Sequence, residues 1–89
     1  MMNEEFFLYD DVEETKTRYV SFVGENQRFD LAIMQTGRYY GKSIVMDIQG
    51  SRFAILGQDD LDEEGYLEYA YNLSEKDAEE LRSFLRPIL

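Results

Sequence analysis

Residues 28–56, RFDLAIMQTGRYYGKSIVMDIQGSRFAIL, decide the fold. Three apolar runs are separated by two glycine-bearing turns, and within each run the side chains alternate. In Arg28 to Gln35, Phe29, Leu31 and Ile33 share one face, and Asp30, Ala32 and Met34 share the other. In Lys42 to Ile48, Ile44, Met46 and Ile48 lie opposite Ser43, Val45 and Asp47. In Arg52 to Leu56 the larger residues, Phe53 and Ile55, are expected to point inward. A period of two is the signature of a strand with one buried face. Thr36-Gly37-Arg38 and Gln49-Gly50-Ser51 are too short to cross a sheet, so successive strands must pair antiparallel.

Upstream, Thr17 to Val23 is rich in β-branched and aromatic residues and reads as a further strand, joined through Gly24-Glu25-Asn26-Gln27. Phe6 to Tyr9 is a short apolar run broken by acidic Asp10 to Glu14, and residues 1–5 are expected to fray. Downstream, Asp59 to Gly65 is an acidic loop or a single helical turn. Tyr66 to Asn72 admits two readings: the acidic start from Asp59 onward suits a helix N-terminus, but the alternation of Leu67, Tyr69, Tyr71 and Leu73 favours a fifth strand, which is the expectation taken. The last element is a helix. Ser74 is its N-cap, Asp77 stands where a capping-box acid belongs, and Leu73 and Ala78 are placed for a hydrophobic staple. Ala78, Leu81, Phe84, Leu85 and Ile88 form its apolar stripe, Glu75, Glu79, Glu80 and Arg82 face water, and Pro87 stops it. The expected architecture is α+β: an antiparallel meander of four to five strands with one C-terminal helix across a face, the 89 residues making a single domain.

The chain has no histidine and no cysteine. Those side chains supply most neutral-pH general bases, most soft-metal ligands and every thiol nucleophile, so the composition points away from enzymatic chemistry and names no cofactor. No disulfide can form, which suits a reducing cytosol. No run approaches the roughly 20 apolar residues that span a bilayer, and the acidic start is unlike a secretory signal. A cytoplasmic protein is expected.

The net charge of −10 disfavours polyanionic partners such as nucleic acid and anionic membrane. The charge is unevenly placed. Residues 1–14 hold six acids and no bases, residues 15–58 six bases against three acids, and residues 59–89 ten acids against three bases.

Four constellations invite a chemical reading. Thr36 to Ser43 ends like a phosphate-binding loop but has three residues, not four, between Gly37 and Gly41, and a strand follows in place of the required helix. Counted from Asp60, oxygen ligands fall at EF-hand positions 1, 3, 5 and 9 (Asp60, Asp62, Glu64, Glu68) with Gly65 at the turn, but position 12 is Tyr71 rather than a bidentate glutamate. A weak divalent-cation site is the most that spacing supports. Asp30 and Asp47 are the only acids inside strands and could serve as a carboxylate pair only within one cleft. Arg18, Arg28, Arg38, Lys42 and Arg52 with Tyr19, Tyr39 and Tyr40 could form a basic aromatic sheet surface for single-stranded nucleic acid, against the global field.

Phe6 to Asp11, Gly24 to Ala32 and Asp59 to Glu68 together resemble a family of small acidic cytosolic proteins from Gram-positive bacteria, catalogued as a domain of unknown function. The resemblance implies a bacterial cytosolic protein and carries over no activity or site residue. The reading that follows is a non-enzymatic interaction or regulatory module, with a homodimer among its possible assemblies. Its expected contact surface is the acidic stretch with its tyrosines (Asp60, Asp62, Glu64, Tyr66, Glu68 and Tyr69), and its expected partner is a protein with a basic surface.

Overall fold

The computed structural model describes residues 6–89, so the expectation for residues 1–5 lies outside the described residues. Four strands, β1 (Lys16–Val23), β2 (Arg28–Gln35), β3 (Ser43–Asp47) and β4 (Arg52–Leu56), form one antiparallel sheet in the order β1-β2-β3-β4. Three helical segments follow: α1 (Gln58–Leu61), α2 (Tyr66–Tyr71) and α3 (Glu75–Leu85). They cover one face of the sheet, and among the described residues no element packs on the other.

The expected fifth strand is a helix. Its alternation was misleading because Tyr69 is 83% exposed and belongs to no buried face. The residues that pack inward are Tyr66, Leu67, Ala70 and Tyr71, which recur at helical spacing. Gly65 enters α2 with φ of 79°, and Asn72 leaves it at φ of 56°, a left-handed exit that asparagine tolerates better than most residues. The Leu73 N–H closes the end by donating to the Glu68 carbonyl. The helical layer is therefore built from three segments rather than one.

Register decides which side of the sheet is buried. β1 pairs with β2 so that Val20 faces Leu31 and Phe22 faces Phe29. On that side Phe22 stacks between Phe29 and Phe84, with ring centroids 4.8 and 4.2 Å apart. Ile33 pairs with Val45, and Val45 with Ala54. The core face is thus Phe29, Leu31, Ile33, Val45, Ala54 and Leu56, closed by Leu61, Leu67, Tyr71, Ala78, Leu81 and Leu85 from the helices.

This corrects the inward assignment of Phe53 and Ile55. The small Ala54 and Leu56 face the helices, while Phe53 is 66% exposed on the opposite side. The cause is β2, whose buried side is unambiguous: once Ile33 and Val45 pair, every second residue of β3 and β4 has its side chosen. Ser43 and Asp47 are carried under the helical layer, and Ile44 and Met46 are turned away from it.

Between β3 and β4, the Asp47 carboxylate accepts the Gly50 N–H at 3.1 Å. The left-handed residue of that turn is Ser51, with φ of 58°, and not Gly50.

Candidate functional site

The acidic stretch after β4 is folded into two short helices whose outer surface, with α3, forms an open groove of about 1060 Å³. Asp62, Glu63 and Glu64 line one wall and Glu75 and Glu79 the other, with Glu68 and Arg82 between them. α1 begins at Gly57, whose N–H donates to the Asp60 carboxylate at 2.8 Å. Asp60 also pairs with Lys42 at 3.0 Å. Burial works against its charge, but the Gly57 N–H and Lys42 hold its pKa below the usual carboxylate value. Asp60 is an internal strut joining α1 to the residue before β3.

The six residues expected to form one contact surface are divided by the fold. Asp62, Glu64 and Glu68 line the groove. Asp60 is turned to Lys42, Tyr66 packs against the core, and Tyr69 stands exposed outside the groove. Asp60, position 1 of the EF-hand-like count, is therefore spent on Gly57 and Lys42. Among the described residues, no three carboxylates converge closely enough to hold a metal ion.

The three cations of the groove are already engaged. Arg82 does not face water as expected. Its side chain is 16% exposed, and its Nε donates to the Leu61 carbonyl at 2.8 Å while one terminal nitrogen meets Glu79 at 2.6 Å. Arg86 pairs with Asp62 at 2.8 Å, and Lys76 pairs with Glu25 of the β1–β2 turn. Glu63, Glu64 and Glu75 have no cationic partner among the described residues. Glu68 Oε1 is buried without a hydrogen-bond donor, 3.7 Å from Arg82. The groove is thus a concave surface whose unbalanced charge is negative.

The remaining constellations are dispersed by the sheet. Asp30 and Asp47 lie on neighbouring strands but on opposite faces, since Asp47 pairs with Leu31. Asp30 accepts from Ser21, Gln49 (2.7 Å) and Arg28 (3.1 Å), and the first two hold its pKa below the usual value. Arg28, Arg38 and Lys42 are each taken by carboxylates of the same chain. Arg38 also lies 4.7 Å from the Tyr9 ring. Arg18 and Tyr19 point to opposite faces, so no single basic aromatic face forms. Gly41 is left-handed, with φ of 78°, and leads into β3, not a helix.

Sequence reasoning missed several groups. Tyr71 donates its hydroxyl to the Val45 carbonyl at 2.7 Å, and burial, with Asp47 adding to it, pushes its phenol above the ordinary range. Gln58 donates to the carbonyls of Arg86 and Leu89 at 2.8 Å each, tying the end of α3 to the start of α1. All three contacts join residues more than twenty positions apart, and no local pattern announces them.

A family model described as SAV0927-like matches residues 8–87. None of the curated proteins compared with the chain matches it.

Proposed function

Since the chain belongs to the SAV0927-like family, whose description names no reaction or ligand, we propose that it is a non-enzymatic binding module whose acidic groove receives a basic segment of another protein. The observation that carries this reading is the groove's charge. All three of its cations are satisfied within the chain, while Glu63, Glu64 and Glu75 are not. A lysine or arginine entering there gains an ion pair without displacing an existing one, and the surrounding field draws it in. The lack of histidine and cysteine, and the separation of Asp30 from Asp47 by the sheet, support binding over catalysis. The resemblance in Phe6 to Asp11, Gly24 to Ala32 and Asp59 to Glu68 supports a setting in the cytosol of Gram-positive bacteria.

Calorimetric titration with a lysine- and arginine-rich peptide tests the groove. Binding should weaken steeply between low and physiological salt. Reversing charge at Glu63 and Glu64 should weaken it by about tenfold or more at low salt, because both residues are exposed and neither holds the fold together. Equal affinity of the doubly reversed variant and the wild type would remove the groove as the site.

A further inference from the structure

The bare face of the sheet is apolar. Across the strands, Tyr19, Ala32, Met46 and Phe53 form one row, and Thr17, Met34, Ile44 and Ile55 form the next. Antiparallel sheets with a solvated side normally place polar residues there. Here the only charged residues on that side of the strands, Arg28 and Asp30, neutralise each other at 3.1 Å. Tyr19 and Phe53 rise at the two edges, 75% and 66% exposed, while Ala32 at the middle is 4% exposed. The face is a shallow dish with aromatic rims.

We propose that a second copy of this chain covers this face, giving a two-fold dimer packed sheet to sheet. Charge selects this occupant and this side. The ten acids of residues 59–89 belong to the segment that forms the helical layer, behind the opposite face. Packed sheets lie ~10 Å apart and each helical layer stands about a further 10 Å out, so the two acidic layers end roughly 30 Å from one another. That is several times the Debye length of ~8 Å at physiological ionic strength, and repulsion between them is largely screened. Pairing through the helical side would instead set the groove carboxylates Asp62, Glu63, Glu64, Glu75 and Glu79 against their own copies.

A two-fold axis along the strands sets the β1 edge of one copy over the β4 edge of the other, so Tyr19 meets the partner's Phe53, a pairing made twice. Four strands of five to eight residues cover about 20 Å in each direction. Such a face buries on the order of 500 Å² on each copy, near the lower bound for specific association, so the dimer dissociates in the micromolar range.

Sedimentation velocity across about 1 to 500 μM tests this. The wild type should pass from monomer to dimer over that range. Phe53→Asp should remain monomeric, with circular dichroism and melting showing that it folds, and Tyr19→Ser should weaken the dimer by about tenfold or more. Tyr69→Asp, altering an equally exposed aromatic on the helical side, should leave the dimer intact. A wild type that stays monomeric throughout overturns the proposal, and its own segment Phe6 to Val12, whose apolar residues are exposed, then becomes the candidate cover. A dimer that survives Phe53→Asp overturns it equally, since pairing along the free β1 edge would not involve Phe53.

Discussion

Asp77 shows how far a single side chain reaches in this protein. Its backbone N–H donates to the Ser74 hydroxyl at 3.1 Å, which is the half of the capping box that the sequence announces. Its carboxylate does not turn back to Ser74. It accepts from Gln27 at 2.9 Å and Asn26 at 3.2 Å, about fifty positions earlier, and so fastens the β1–β2 turn to the first turn of α3. Those two amides, Gln27 foremost, hold the carboxyl below its usual pKa of 3.8. A carboxyl more acidic when folded binds fewer protons in the folded state. The stability it adds is therefore complete above the ordinary value and is lost as pH falls through the lower folded one. Asp77→Asn should melt below the wild type at neutral pH, and the gap should close under about pH 4. A gap that stays constant down to pH 2.5 would mean that the charge contributes nothing. The N-cap was legible because it is local. The carboxylate's partners were not, because only the folded chain brings a turn at residue 26 beside a helix at residue 77.

Among the elements, α2 is the instructive one. Its sequence satisfies two periods at once. Leu67, Tyr69, Tyr71 and Leu73 alternate like a strand, while Tyr66, Leu67, Ala70 and Tyr71 recur like a helix. The helix prevails because the core beneath β3 and β4 takes Leu67 and Tyr71 together, four residues apart, and gives the Tyr71 hydroxyl a carbonyl to meet. Strands β1 to β4 met no such competition, since their turns and alternation agree, and the structure places them within a residue or so of where the pattern does. The helical outcome depends on Gly65, whose φ of 79° is a conformation that side chains with a Cβ resist. Gly65→Ala should cost about 1 kcal/mol in chemical denaturation. Gly37→Ala is the comparison: a Cβ there meets nothing within 4 Å and the backbone is not left-handed, so its midpoint should barely move. Equal losses at the two glycines would count against a strained entry to α2.

Across the complete chain, charge and shape are distributed by layer. Bases sit mostly in the strand region, and ten of the nineteen acids fall in residues 59–89, which form the helical layer and carry a net −7. Compacting like charges costs free energy that salt relieves. The melting temperature should rise as sodium chloride increases from about 10 mM to 0.3 M and then level off as the Debye length shrinks below the charge spacing. A steady fall would show that the pairs Arg38–Glu13, Lys42–Asp60 and Arg86–Asp62 outweigh the repulsion. Composition, charge segregation, the four strands and the capped final helix are written in the order of residues, because each rests on neighbours within a turn or a strand. The burial of Ala54 in place of Phe53, the separation of Asp60 from Asp62, Glu64 and Glu68, and the inward fold of Arg82 are not. Each depends on which face the register of β2 turns toward the helices and on contacts between residues more than ten positions apart, and such contacts are chosen by packing rather than by local pattern.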